Sequence, residues 1–372
     1  MVFGFLRKRT AVEDIDIMKI LEEKKPIIDA IIEKYIPRTY DVEKMVFSAG
    51  APKYGYNVDA ANESISKPVW DLLDRGGKRW RPVLFLLVAE ALGGNPEKYL
   101  DFVIIPEVVH NGTLAVDDVE DDSELRRGRP CLHKLYGTDV AINAGNQMYF
   151  LPLLAFIKNR EKLNNETLVK AYEIYSQGMI ELGYGQGMDI AWHKGLAGAD
   201  DVTEKEYLQM CAYKTGTLAR MSAKLGALLA GANSEVIEKM GALAEAIGIA
   251  FQIQDDILNL TATSGKNQFI KEYIGSDITE GKRTLMVIHA LKNANEKDKK
   301  RMKRILKMHT RSRKIIKEAI KIVKKCGSVD YAKQFAQNLV QNAWNDVKND
   351  IPDNEAKRKI EAFVKFAYER SY

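Results

Sequence analysis

The stretch Asp117-Asp118-Val119-Glu120-Asp121-Asp122-Ser123-Glu124-Leu125-Arg126-Arg127-Gly128-Arg129-Pro130 decides how this chain is read. Five of its first six residues are carboxylates, and an arginine pair follows. Like charges packed this tightly repel one another on a helix. The composition makes sense if a cation that the sequence does not encode sits among them. Mg²⁺ favours carboxylate oxygens and keeps positions open for phosphate oxygens. Arginine suits forked contacts with phosphate. The stretch therefore predicts a metal-bridged diphosphate site. Val108, Val109, Leu114, Ala115 and Val116 form an apolar run leading into it. Tyr99–Asp122 reads as a helix, with Asp117 and Asp121 on one face.

Outward from this stretch the pattern is helical throughout. Toward the N-terminus, Trp80–Leu92 is a strongly apolar helix with Pro82 in its first turn. Ser64–Asp74 is a short helix stopped by Gly76-Gly77. Apolar residues from Ile17 to Ile36 recur at helical spacing until Pro37. Residues 38–61 show no clear period and read as a long loop or short-helix insertion. Toward the C-terminus, Ala141–Asn159, Glu166–Leu182, Glu204–Ala230 and Ser234–Leu260 are long helices. Several are apolar on every side, as buried helices are. Thr284–Asn293 continues the pattern, and lysine-rich amphipathic helices run from Glu296 to the end. The expected architecture is all-α: one large helical bundle around a central cavity, over 15–372, behind a flexible tail at 1–14.

The whole-chain numbers set bounds. With 372 residues, 46% hydrophobic, the chain can bury a large core. A net charge of +5 does not by itself imply nucleic acid. The three cysteines, Cys131, Cys211 and Cys326, are far apart and form no zinc motif. They point to a reducing compartment. The longest apolar run, Val83–Ala89, is too short to span a bilayer. The N-terminus places its charges after its apolar residues, the reverse of a secretory signal. A cytoplasmic protein is expected.

A second acidic site lies in Phe251-Gln252-Ile253-Gln254-Asp255-Asp256-Ile257-Leu258-Asn259. An apolar helix ending in adjacent carboxylates is costly without a cation. Two such helix ends could face each other across a cavity and hold metal between them. Cations come in four places. Lys78, Arg79 and Arg81 lie at a glycine turn opening a helix, where backbone N–H groups also favour anions. Arg126 and Arg127 follow the first acidic motif. Lys214-Thr215-Gly216 sits in an apolar helix, so Lys214 needs a partner anion. Lys271 and Lys282 follow the second acidic motif. Two metal sites and two sets of cations suit two diphosphates. Gly183–Gly187 mimics a dinucleotide fingerprint, but no strand precedes it. Its glycines are better read as letting helices approach, or as turning Gln186 and Asp189 to a cavity. Lys297–Lys325 could suggest nucleic acid, yet its apolar period marks a solvated helix face.

These residues together resemble the trans-isoprenyl diphosphate synthases, most closely the geranylgeranyl diphosphate synthases. The likeness rests on Asp117–Asp121, Arg126–Gly128, Gly77–Arg81, His110, Lys214–Gly216, Phe251–Asp256 and Gly275–Lys282. It implies a homodimeric prenyltransferase that condenses isopentenyl diphosphate with an allylic diphosphate. It implies three Mg²⁺ ions, replaceable by Mn²⁺, on Asp117, Asp121 and Asp255. Arg126, Lys214 and Lys282 would hold the allylic diphosphate, with Lys271, Thr215 and Gln252 nearby. Lys78, Arg81, His110 and Arg127 would hold isopentenyl diphosphate. Two departures stand out. Asn259 replaces an aspartate that many members carry, and Lys271 and Lys282 lie one residue further apart than usual. In farnesyl synthases an aromatic four or five residues before the first aspartate plugs the product channel. Here those positions are Thr113 and Gly112, both small. Val108 and Val109 would lie a turn deeper, above a floor of Met148, Tyr149 and Phe150. That arrangement implies a C20 product, with C25 or longer as the alternative. A terpene cyclase and a non-catalytic subunit of a heteromeric synthase fit less well, since both acidic motifs and the Gly-Gly-Lys-x-x-Arg segment are present.

Overall fold

The computed structural model describes residue 12 and residues 15–198, 201–261 and 274–369. Helices make up nearly all of it. In chain order they are α1 (Ile17–Tyr35), α2 (Val42–Ala49), α3 (Val58–Ala61), α4 (Lys67–Asp74), α5 (Trp80–Ala91) and α6 (Ile104–Glu120). Next come α7 (Leu132–Tyr136), α8 (Thr138–Phe150), α9 (Leu154–Lys158), α10 (Asn165–His193), α11 (Glu204–Cys211), α12 (Thr217–Leu229) and α13 (Ser234–Thr261). The chain closes with α14 (Ser276–Glu280), α15 (Leu285–Asn293), α16 (Glu296–Lys307), α17 (Arg313–Lys325), α18 (Ser328–Val347) and α19 (Glu355–Glu369). The all-α expectation holds.

Five central helices, α5, α6, α10, α12 and α13, carry the site. Helix α5 buries Val83 through Ala89 without a break. Each buried Val, Leu or Phe contributes about 1.5–3 kcal/mol. An all-apolar helix is stable only when neighbours cover every side, and α6, α12 and α19 do so here. Glycines set the closest crossings. A Cβ on Gly226 of α12 would stand 2.6 Å from the Phe85 carbonyl of α5. One on Gly248 of α13 would stand 2.9 Å from Gly216 Cα.

Several elements differ from the sequence reading. The insertion at 38–61 contains α2 and α3, each capped by its own side chain, Asp41 and Asn57. Arg38 ties its start to α4 through both oxygens of Asp74, each at 2.9 Å. Helix α10 runs on through Gly183–Gly187 to His193, past the end at Leu182 that its sequence pattern suggests. Each interior glycine costs about 1 kcal/mol, and at Gly185 the packing described below accounts for it. The span 204–230 is not one regular helix. A π turn, Ala212–Gly216, joins α11 to α12. A two-residue hairpin, β1 (Leu125–Arg126) with β2 (Arg129–Pro130), follows the first acidic motif and turns at Arg127 and Gly128, both with positive φ. Among the described residues one span, Thr138–Lys158, is long and apolar enough to cross a bilayer by length and composition. It packs one side, including Ala141, Ala144, Met148 and Phe156, into the core.

Candidate active site

The C-terminal halves of α6 and α13 open on one cavity of about 650 Å³. Asp117 and Glu120 reach it from α6, and Asp255, Asp256 and Asn259 from α13. Lys214 and Thr215 enter from the π turn, Gln186 and Asp189 from α10, and Asp277 and Lys282 from α14 and the residues after it. The lower wall is apolar, made by Leu114, Val116, Met179, Leu182 and Leu218. The two acidic motifs therefore face each other, as their composition implied.

The wide π turn is what delivers Lys214. It leans on α10 at Gly185, where a Cβ would stand 2.7 Å from the Tyr213 carbonyl carbon. Only glycine leaves room at position 185, whereas Gly183 and Gly187 face open space. Lys214 Nζ then lies 3.2 Å from Asp117 Oδ1 and 2.5 Å from Asp189 Oδ2. Burial disfavours its charge, but Asp117 and Asp189 outweigh burial and raise its pKa. Asp189 is also buried, and Lys214 and Lys282 hold its pKa below the usual carboxylate value. Gln186 Nε2 donates to Asp117 Oδ1 at 3.0 Å and to Glu120 Oε2 at 2.7 Å.

Arg126, aimed back by the β1–β2 hairpin, grips Asp118 with Nε at 2.9 and 3.1 Å. Its Nη2 also reaches Asp117 Oδ2 at 3.3 Å. Asp121 caps α6 one turn beyond Asp117 and lies close enough to support the charge of Lys282. Lys282 pairs with Glu280 at 2.6 Å. On α13, Thr215 Oγ1 donates to Gln252 Oε1 at 3.1 Å, and Gln252 Nε2 donates to Asp256 Oδ1 at 2.8 Å. Tyr207 completes the chain from α11, donating to Asp256 Oδ2 at 2.9 Å. Burial, with Asp277 next, pushes Asp256 up to about 8. Asn259 holds the return segment, donating to Ser276 Oγ at 2.8 Å and accepting from the Asp277 N–H at 3.3 Å. Asn259 thus ties the end of α13 to the start of α14.

The second set of cations lies on the α5 side. Arg81 and His110 line the cavity. Arg81 Nε is buried with no hydrogen-bond partner among the described residues. Burial lowers the Arg81 pKa to about 10, so it stays charged at neutral pH. Burial, and then the nearby Arg81, Arg127, Arg126 and Arg79, hold His110 neutral, well below its ordinary pKa. Arg127 Nη1 donates to the carbonyls of Gly76 and Leu72 and so braces the glycine turn. Lys78 lies beside this turn with its Nζ 5.7 Å from the Phe366 ring centre. Arg79, grouped with these cations from sequence, points inward instead. Lys271 lies outside the described residues.

The channel residues separate into two groups. Thr113 lines the cavity and Gly112 does not. At about 100° per residue, position −4 falls about 40° from Asp117 around the helix, and position −5 about 140°. Gly112 therefore faces α8, where a Cβ would stand 2.9 Å from the Gly145 carbonyl and from Met148 Cβ. It is a helix-packing glycine rather than a channel wall. Val108, Val109 and Met148 are wholly buried and line no part of the cavity. Phe150 is 63% exposed on the outer face of α8. Of the expected floor, Tyr149 alone reaches the cavity.

The polyprenyl synthetase family model matches residues 62–323. Geranylgeranyl diphosphate synthase of Sulfolobus acidocaldarius is 31% identical over 342 residues, covering 91% of this chain and 98% of that protein. Geranylfarnesyl diphosphate synthase of Natronomonas pharaonis is 33% identical, covering 81% and 88%. This chain belongs to the polyprenyl synthetase family. As a family member it is a prenyltransferase, with prenyl diphosphates as the expected substrates and a divalent metal as the helper ion. The crystal structure of geranylgeranyl pyrophosphate synthetase from Pyrococcus horikoshii superposes with a TM-score of 0.81 at 32% identity, covering 95% of this chain and 98% of that one.

Proposed function

We propose that this polyprenyl synthetase is a cytoplasmic enzyme that condenses isopentenyl diphosphate with an allylic diphosphate, with geranylgeranyl diphosphate as its main product. The observation that carries the reading is the single cavity that Asp117 and Asp255 enter from opposite helices, above an apolar wall. The relatives named for geranylgeranyl diphosphate synthesis support the C20 length.

The donor set fits a hard divalent cation. Asp117, Asp121 and Asp255 offer only carboxylate oxygens, as Mg²⁺ and Mn²⁺ prefer. Lys214 and Arg126 reach Asp117 from two sides. We propose three Mg²⁺ ions held by these three residues; bound there, they would supply positive charge at the leaving oxygens.

The rest of the chemistry belongs to the side chains. Arg126, Lys214 and Lys282 hold the allylic diphosphate, and Thr215 and Gln252 orient it. Breakage of the C–O bond sends its electron pair onto the diphosphate and leaves an allylic cation. Charge aimed at those oxygens before reaction is the main source of rate. Arg81, His110, Arg127 and Lys78 hold isopentenyl diphosphate. Arg81 Nε has no hydrogen-bond partner among the described residues, as a group awaiting an anion should. Neutral His110 donates a hydrogen bond without adding charge. The double bond attacks the cation, a C–C bond forms, and the departing diphosphate takes the proton. The apolar wall below Thr113 receives the growing chain.

We also propose a homodimer. Ile142, Phe150, Ile157, Val169, Ile180 and Tyr184 are 40–67% exposed along α8, α9 and α10. Apolar side chains gathered on adjoining helices favour a second copy as cover. The functional test is incubation of purified protein with Mg²⁺, isopentenyl diphosphate and each allylic primer, with products separated by chain length. The reading predicts C20 prenyl diphosphate. No elongation with any primer would refute it.

A further inference from the structure

We propose that the α16–α17 hairpin is a docking surface for an anionic lipid bilayer. The 30 residues from Glu296 to Lys325 contain 14 Lys and Arg against 3 Asp and Glu, a net charge of +11. The whole chain carries +5, so the remainder carries −6. The charge is concentrated on this one hairpin.

The two helices bury Met302, Ile305, Leu306, Ile316, Ile322 and Val323 inward. Cations cover what is left. Arg301 pairs with Glu318, Lys325 with Asp298 and Lys303 with Asp201. Lys300, Arg304, Lys314, Lys317, Lys321 and Lys324 are exposed and make no ion pair among the described residues. On α17 the last four recur at intervals of three and four, which stacks them in one stripe. Like charges at that spacing destabilise a helix. The stripe costs stability inside the protein, and an outside anion would offset the cost.

Three observations favour a bilayer over nucleic acid as that anion. The stripe lies on an outward-facing helix pair, and the exposed positions of α16 and α17 carry no Phe, Tyr or Trp on which bases could stack. Met308, at the tip between the helices, is 45% exposed among the cations. The hairpin also packs on the wall of the active site. Thr279 of α14 donates to the Thr310 carbonyl at 2.8 Å, and a Cβ on Gly281 would stand 3.0 Å from the Leu306 carbonyl. Asp277, in the same helix, and Lys282 line the cavity. If the product is a prenyl diphosphate, which is the one point that rests on the proposed function, its apolar tail must pass to a lipid phase. A cavity held beside a membrane shortens that path.

The test is flotation of the full chain with vesicles of phosphatidylcholine alone and of phosphatidylcholine with phosphatidylglycerol, at low and high salt. A 30-base-pair DNA duplex at matched phosphate concentration is the competing arm. We expect binding to the anionic vesicles only, weakening with salt. Each cation near an anionic surface multiplies the partition about fivefold, so K314E/K317E/K321E should lower it at least about 100-fold. The same triple variant should keep wild-type condensation rates on soluble primers. K314Q/K317Q/K321Q decides the matter if the glutamates disturb folding. Absent binding to anionic vesicles, unchanged binding by the variants, or tighter binding to the duplex each overturns the proposal. Loss of condensation in the wild type would instead strike the proposed function and leave the flotation result standing.

Discussion

Arg79 and Glu107 form an ion pair almost wholly removed from solvent, with Nη1 2.9 Å from Oε1 and side-chain exposures of 2% and 3%. Arg79 adopts φ 53°, and it also pairs with Asp29 at 2.7 Å and donates to the Leu73 carbonyl at 3.1 Å. Glu107 in turn accepts from Asn111 at 3.1 Å. The pair thus nails the glycine turn to α6, between Lys78 on one side and Arg81 on the other. Removing one partner of a buried pair costs about 3–5 kcal/mol. Glu107→Leu should show that loss in denaturant unfolding. It should also raise KM for isopentenyl diphosphate about tenfold, the equivalent of about 1.4 kcal/mol, and leave KM for the allylic substrate near wild type. The double variant Arg79→Met, Glu107→Leu should regain stability but not binding. Equal rises in both Michaelis constants would count against this positioning role.

Tyr207→Phe removes the hydroxyl that holds Asp256, next to the proposed metal ligand Asp255. Groups that orient metal ligands typically change metal affinity 10–100-fold. The Mg²⁺ concentration giving half-maximal rate should rise by at least about tenfold. Stability should change by only about 1 kcal/mol. An unchanged Mg²⁺ requirement would separate Tyr207 from the metal site.

His110 gives the ligand-free protein a pH dependence. Its folded-state pKa is depressed, by burial first and then by the surrounding arginines. A depressed pKa contributes stability above the unfolded value near 6.5, and that stability is lost as pH falls toward the folded value. The melting temperature should therefore drop between about pH 6.5 and pH 5. In His110→Gln, which cannot titrate, the drop should be smaller. Parallel melting curves for the two proteins would contradict this.

Product length should respond to Thr113 and Tyr149 and not, in a simple way, to Gly112. Thr113→Phe should shorten the main product, and Tyr149→Ala should lengthen it, both read by chromatography of the dephosphorylated products. Gly112→Ala should instead lower stability by about 1–3 kcal/mol, the cost of overpacking, because it drives α6 off α8. A shorter product from Gly112→Ala at full stability would restore Gly112 to the channel.

Phe150→Glu with Ile180→Lys should convert the proposed dimer into a monomer in sedimentation equilibrium. A dimer of wild-type affinity would place the interface elsewhere.

The legible parts of this chain were those set by local rules. The apolar periods located the long helices, and the two acidic clusters pointed to one cavity because neither is stable without a counter-charge. What stayed hidden depends on contacts between distant segments. Nothing local in Gly183–Gly187 says that α10 continues, because the reason is the approach of Tyr213 and Lys214. The inward turn of Arg79 was masked by its neighbours, which share its charge and not its direction. Gly112 and Thr113 are both small, and only the angle around α6 tells them apart. Tyr207 carries no motif at all; a hydroxyl seven residues before Lys214 becomes meaningful only when Asp256 is opposite it.

The π turn at Ala212–Gly216 gives α11 and α12 a fixed phase offset, like two screws joined with one thread skipped. Deleting one residue there would let the backbone relax into ordinary α-helix with its hydrogen bonds intact. It would also rotate α11 by about 100° relative to α12. Tyr207 would leave Asp256, and the Lys214 side chain would turn away from Asp117. The number of residues in this helix pair therefore matters as much as the identities of Tyr207 and Lys214, since a length change of one displaces both side chains at once.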